Sequence, residues 1–206
     1  MPWIYVVYIA VFLLYAFVDV NYFIWHLVVI AMYATFRWKR AARCTLFDTD
    51  CYTGISFPSD IDHMGHMNNA RYIRAFEYAR AAFGLRSKLW STARKLQASI
   101  LIASQVVRYR KPIGVFQRYR ITTRVVFFQG KDLYVEQQLL TTCDNFVRAT
   151  CVVKLTMTNG GVDDLFKALG LDPSTSPKEM PVEIGDFIAY NEANSSRLNP
   201  AKAKGS

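Results

Sequence analysis

Between Ala98 and Thr158 the chain carries four runs rich in β-branched and aromatic residues: Ser99 to Tyr109, Phe116 to Phe128, Leu133 to Thr142 and Phe146 to Thr158. The breaks carry turn chemistry at Lys111-Pro112-Ile113-Gly114, Gln129-Gly130-Lys131-Asp132 and Asp144-Asn145, and Asn159-Gly160-Gly161 closes the series. Connections this short make neighbours antiparallel, so the spacing predicts a four-strand meander. Upstream, Tyr72, Phe76, Ala79 and Phe83 recur at helical steps within Asn68 to Leu89, with Ile73 and Ala75 widening the stripe. Arg71, Arg74, Arg80 and Arg86 are expected largely on the other helix faces. A sheet with one apolar face needs a cover, and this helix supplies it. Thr45 to Phe57 offers a further strand or irregular entry. The fold class is therefore α+β.

At the start of that helix lies Asp60-Ile61-Asp62-His63-Met64-Gly65-His66-Met67-Asn68-Asn69, followed by Tyr72. The first turn of a helix presents unpaired N–H groups and a partial positive charge, which polarise a bound carbonyl and stabilise an oxyanion. Gly65 lets backbone approach a ligand closely. Asp62 is placed to attack the carbonyl carbon or to deprotonate a water that does, with His66 to orient the water, assist the base or polarise the carbonyl. Asn68 and Asn69 offer amide contacts or an N-cap, and Tyr72 follows one turn on. The rival readings are a metal site on Asp60, Asp62, His63 and His66, which lacks a recognised ligand spacing, and a purely structural turn with capping residues. Glu77, the other candidate acid, lies about 14 Å along the helix from Asn68, too far to share a target with Asp62 within one chain, and is read as structural.

The N-terminal region has a different character. From Trp3 to Phe36 the only charged side chain is Asp19, in a chain that is 52% apolar. Such a stretch would reach about 50 Å as one helix, against a hydrocarbon core of about 30 Å, so a single membrane anchor is expected. The break at Asp19-Val20-Asn21 also permits a shallow two-armed hairpin. Arg37, Lys39, Arg40 and Arg43 follow, and positive charge beside a membrane segment places the downstream domain on the cytosolic side, as on the endoplasmic reticulum or another endomembrane. The competing reading is a cleaved signal peptide, which would send the domain to the secretory lumen or outside. It needs a basic start and an A-x-A site, whereas no Lys or Arg precedes residue 37 and Ala31 and Ala34 have the wrong spacing.

The net charge is +9, of which residues 1–43 hold +3, leaving +6 for the remainder. Arg108, Arg110, Lys111, Arg118, Arg120 and Arg124 crowd one stretch, and their even spacing points 108/110 and 118/120/124 outward together. A solvated strand face, a phosphorylated ligand or an anionic lipid surface would each account for it. Nucleic acid is not expected, since no RNA-binding motif accompanies the cluster. Cys44, Cys51, Cys143 and Cys151 form no C-x-x-C pair or metal spacing and are read as free thiols. A hairpin at Asp144-Asn145 would set Cys151 opposite Gln138. The tail carries two helical patterns, Leu165 to Leu169 with Asp163 as cap and one marked by Val182, Ile184, Phe187 and Ile188. A linker runs from Pro173 to Pro181, and disorder is expected after Asn199.

The run Asp-x-Asp-x-x-Gly-His-Met-Asn-Asn-x-x-Tyr resembles the signature of hotdog-fold thioesterases of the 4-hydroxybenzoyl-CoA thioesterase type, and Phe76-Glu77-Tyr78-Ala79-Arg80 looks like that family's helix continuation. The hydrophobic N-terminus, the Phe57-Pro58-Ser59-Asp60 entry and the tail Tyr190 to Ser196 are similar to the thioesterase superfamily member six group. The resemblance implies a hotdog fold, a homodimer or higher homo-oligomer with its site at the subunit interface, and fatty acyl-CoA or a similar thioester as substrate. Coenzyme A is then part of the substrate, with no metal or other cofactor. It assigns catalysis to Asp62, Gly65 and His66; substrate contacts are expected from Asn68, Asn69, Tyr72, Arg108, Arg110 and Lys111, the last three at the CoA phosphates. Plant acyl-carrier-protein thioesterases have a similar run with Asn where this chain has Met64. The expected organisation is an anchor with basic flank at 1–43, a hotdog domain at 44–161 and a helical extension with tail at 162–206. A non-catalytic acyl-lipid binder or membrane scaffold on the same fold is the alternative function.

Overall fold

The computed structural model describes residues 2–32, 44–172 and 179–198 and divides into two units, Met1–Ala41 and Ala42–Ser206. The basic flank at Arg37 to Arg43, most of the Pro173-to-Pro181 linker and the segment after Asn199 lie outside the described residues.

In the first unit the expected single helix is two: α1 (Pro2–Phe17) and α2 (Val20–Ala31), bent by 80° at the break between them. Asp19 causes the break. Its carboxylate accepts the Tyr22 N–H at 3.1 Å and its carbonyl accepts the same N–H at 3.0 Å, so it caps a new helix instead of continuing the old one. No single described helix is long and apolar enough to cross a membrane.

The second unit begins with β1 (Asp50–Ile55), a 3₁₀ turn at Pro58–Asp60, and helices α3 (Asn69–Arg86) and α4 (Leu89–Lys95). Strands β2 (Ile100–Tyr109), β3 (Arg118–Gln129), β4 (Asp132–Thr141) and β5 (Val147–Met157) follow, then α5 (Val162–Leu169) and α6 (Val182–Leu198). The strands form one antiparallel sheet in the order β1-β3-β4-β5-β2, with α3 packed on one face. This is the hotdog arrangement.

The four-strand meander needs one correction. Only β3, β4 and β5 form hairpins; β2 lies beside β5 at the far edge. The β3–β4 and β4–β5 turns fill both sides of β4, and β1 takes the free side of β3, so β2 can join only at β5. Its connection to β3, residues 110–117, crosses three strand spacings of about 14 Å, well within the reach of eight residues. Ile113 anchors that crossing, wholly buried against Tyr72, Phe76 and Leu139. The register in the β4–β5 hairpin also differs by one: Cys151 faces Gln137, because the ladder shifts between Leu139 and Leu140. All four cysteines are free.

The predicted α3 stripe is the core face: Tyr72, Ala75, Phe76, Ala79 and Phe83 are all buried. Arg80 joins them, contrary to expectation, since it sits four residues after Phe76 on the same side. The helix also stops earlier than predicted. Lys88 adopts a left-handed conformation (φ 61°), and the chain turns into α4, whose Trp90 folds back on α3. The opposite sheet face is covered in part by α6, with Ile184 and Phe187 on Val126 and Tyr134. At α5 the cap is Gly161, whose N–H is taken by the Asp164 carboxylate at 3.1 Å, in place of Asp163.

Gly84 makes the α3–α4 contact possible, because a Cβ there would lie inside the Trp90 indole. Gly84→Ala gains about 1 kcal/mol of helix propensity. Against that, it displaces a ring whose N–H donates to the Ala81 carbonyl at 3.2 Å, and overpacking of this kind costs about 1–3 kcal/mol. We expect a net loss of stability, read as a Tm lowered by about 2–4 °C per kcal/mol together with a red shift of Trp emission. A higher Tm would mean that Trp90 repacks freely.

Candidate active site

The motif forms a tight turn held by a two-residue bridge between Ile61 and Met67. Asp62 N–H donates to His66 C=O at 3.0 Å, and Asn68 N–H donates to Asp60 C=O at 2.8 Å. Inside the turn, Gly65 N–H returns to Asp62 C=O at 3.0 Å. Gly65 takes φ +79°, which side chains rarely tolerate, and no atom lies within 4 Å of where its Cβ would be. The tip is therefore both strained toward glycine and open above.

Asp62 Oδ1 accepts the Met64 N–H at 2.9 Å, which fixes the carboxylate by an Asx turn. Its other oxygen receives no protein donor among the described residues. His66 Nδ1 stands 3.7 Å from Asp62 Oδ1, too far for a good hydrogen bond but near enough for attraction when the ring is protonated. His66 is half-buried, and its N–H donates to no protein acceptor among the described residues. Of the backbone N–H groups of Gly65 and His66, the residues to which the resemblance assigns catalysis with Asp62, Gly65's is spent within the turn and His66's is open. The Met64 side chain is exposed.

Other motif residues also make contacts within the framework. Asp60 accepts the Phe57 N–H at 2.9 Å and has Arg71 at 3.9 Å. Asn68 is the N-cap of α3, its Oδ1 taking the Ala70 N–H at 2.9 Å. The Asn69 carbonyl accepts the Tyr109 hydroxyl at 3.0 Å. Tyr72 is buried edge-on to Tyr109, and burial pushes its phenol up to about 12, so it stays protonated at any physiological pH. Met67 N–H donates to Ile113 C=O at 2.7 Å, which ties the motif to the crossing loop.

That loop brings the first basic residues to the same end of the unit. Arg110 and Lys111 lie over the Phe146 ring at 4.9 and 5.7 Å, joined by Arg148 at 5.3 Å. Arg148 is neutralised by Asp144 at 2.5 Å, and Asp144's carboxyl is held below its usual value first by the Thr141 hydroxyl and the Phe146 N–H. Arg110 and Lys111 have no carboxylate partner among the described residues. Arg108 shares the outer sheet face with Arg118, Arg120 and Arg124, in the row of Thr150, Gln138 and Thr122. The single cluster expected from spacing is thus split, because β5 and β4 stand between β2 and β3. Arg124 is moreover paired with Glu136 at 2.7 Å.

Among the buried polar residues that were not anticipated, two join α3 to the sheet. Arg80 Nη1 donates to Gln137 Oε1 at 2.6 Å, and Gln137 Nε2 donates to the Phe76 carbonyl and to Thr123 Oγ1, each at 3.0 Å. The signal for Arg80 was its helical spacing from Phe76. Gln137 lies between Val135 and Leu139 on the inward alternation of β4.

Residues 57–186 match the model of the thioesterase-like superfamily. A Drosophila melanogaster relative, Protein THEM6, is 33% identical over 196 residues, covering 94% of this chain and 98% of its own. The Xenopus laevis Protein THEM6 is 33% identical over 147 residues, covering 71% of this chain and 70% of its own. Among solved structures, the Escherichia coli probable thioesterase YbaW is similar in fold at a TM-score of 0.54 and 18% identity, covering 58% of this chain and 95% of its own. The Staphylococcus aureus protein SAV2348, solved in complex with CoA, aligns at a TM-score of 0.55 and 15% identity, covering 70% of this chain and 96% of its own.

Proposed function

Because the chain belongs to the thioesterase-like superfamily, we propose that it hydrolyses a fatty acyl thioester of coenzyme A to the free acid and the thiol. The observation that carries this reading is the unpaired Asp62 oxygen in the same turn as the open His66 N–H, under a bare Gly65. In this reading the carbonyl oxygen rests on the His66 N–H, which strengthens as negative charge develops. Asp62 either removes a proton from a water attacking the carbonyl carbon or attacks it directly. In both routes the C–S bond breaks and the thiolate leaves; in the direct one the acyl–Asp62 anhydride so formed is then hydrolysed by water. In either case the water consumed supplies the acid's hydroxyl oxygen and the proton taken up by the thiolate. Gly65 keeps the approach clear of side chains, and Asn68, Asn69 and Tyr72 hold the first turn of α3 in place.

Arg110 and Lys111 are assigned to the CoA phosphates, with Arg108 on the adjoining sheet face, and the CoA bound to the SAV2348 structure supports a ligand of this class. Arg110→Glu with Lys111→Glu should raise KM for acyl-CoA several-fold, leave kcat nearly unchanged, and flatten the dependence of KM on salt. An unchanged KM would remove these residues from the substrate site. A homodimer is supported by the open edge of β2, where Leu101, Ile102, Val106 and Tyr109 are exposed. The apolar α1 and α2 and the basic residues after them support attachment to an endomembrane with the domain on the cytosolic side.

One observation favours a second reading, a non-catalytic acyl-lipid binder: Asp62 Oδ1 already has a structural role in its turn. The full chain in lipid vesicles, offered acyl-CoAs of several lengths with free thiol measured, separates the two. Thiol release at one or more lengths is expected. Tight acyl-CoA binding without release at any length would establish the binder.

A further inference from the structure

We propose that α2 lies in the plane of a bilayer surface as an interfacial foot, that Asp19 sits at headgroup level, and that α1 alone dips into the hydrocarbon. This inference rests on the membrane reading above and concerns how the first unit meets the lipid. The two helices have different chemistry. The side chains of α1 include no charge, amide or imidazole, and Trp3, Phe12 and Phe17 are among many exposed apolar ones. A helix apolar on every side needs cover on every side. In α2 the i, i+4 spacing gathers Asn21, Tyr22, Trp25 and His26 on one side and Phe23, Ile24, Leu27 and Ile30 on the other. The second group is exposed, whereas on the first side Tyr22 and His26 are half-buried and Val29, which falls among them, is buried. One apolar stripe backed by amphipathic aromatics is the pattern of a helix lying at a membrane interface.

The bend then sets the geometry. With 80° between the helix directions, a membrane-normal α1 leaves α2 nearly in the membrane plane. α1 reaches about 24 Å and α2 about 18 Å, so α2 is too short to cross a core of about 30 Å. Asp19 supplies the remaining constraint. Its carboxylate caps α2 at the corner, and the surface placement keeps that charge in water, whereas a hairpin inserted corner-first would carry it to the bilayer centre.

The test uses the full chain in vesicles of phosphatidylcholine and phosphatidylserine, with a fluorescent amino acid at Phe12 or at Ile24, both exposed positions. Lipids carry a spin-label quencher either near the headgroup or near the end of the acyl chain. The expected result is that the probe at 12 is quenched more by the deep label and the probe at 24 more by the shallow one. Deep quenching at both positions would overturn the proposal in favour of an inserted hairpin, and shallow quenching at both would overturn it in favour of two surface helices. Failure of the chain to float with the vesicles would instead remove the membrane reading itself, and the proposal with it.

Discussion

Asp62→Asn is expected to reduce thioester turnover by about 10²–10⁴-fold, the usual contribution of a positioned general base, with little change in folding. The substitution is well posed because of how the carboxylate is held. Asp62 Oδ1 accepts the Met64 N–H, and an amide oxygen can accept the same bond, so the Asx turn and the Ile61–Met67 bridge survive. What is lost is the negative charge and the basic oxygen left open to substrate. The matching measurements are kcat by thiol release and unfolding midpoint by urea. A kcat within a few-fold of the parent, at equal stability, would restrict Asp62 to its turn and strengthen the binder reading. A fall in both activity and stability would show that the charge itself supports the turn.

The second large effect is structural. Gln137→Leu should destabilise the fold by about 3–5 kcal/mol, because it removes the oxygen acceptor of a buried guanidinium and leaves that charge only Cys151 and Glu77 as neighbours among the described residues. Arg80 and Gln137 are both buried, and their bond joins the middle of α3 to the middle of the sheet. Burial lowers the Arg80 pKa, but a guanidinium stays charged, so it cannot escape the penalty by losing its proton. The Tm should fall by about 6–20 °C for a chain of this size. Replacing both residues, Arg80→Met with Gln137→Leu, should recover most of the loss, since an apolar pair leaves no stranded charge. A loss below about 1 kcal/mol for the single change would mean that water reaches Arg80.

Much of the fold was legible because its signals are local. The α3 stripe reads from 3.6-residue spacing, and the strands read from β-branched runs closed by glycine and asparagine turns. The run from Asp60 to Asn69 announced a turn feeding a helix N-terminus, and Asn68 is that helix's cap. The basic cluster misled for an equally physical reason. Residue spacing gives the side of a strand on which an arginine lies, but not which strands lie between two arginines. Arg108 and Arg120 share a sheet face while standing on strands separated by β5 and β4.

By itself the sequence determined the α+β class, the helix–sheet layering, the turn that presents Asp62, and the apolar character of the N-terminal segment. Each depends on residues within a few positions of one another. Only the tertiary structure decided the placement of β2 at the far edge, the pairing of Arg80 with Gln137, and the sharp corner at Asp19. It also decided which N–H at the turn remains open. The first two are contacts between residues far apart in the chain, where pairing is settled by which edges and acceptors other elements have already taken. The last two hang on a few local hydrogen bonds, those of the Tyr22 N–H to the carboxylate and carbonyl of Asp19 and that of the Gly65 N–H to the Asp62 carbonyl, where the same residues could adopt several local geometries.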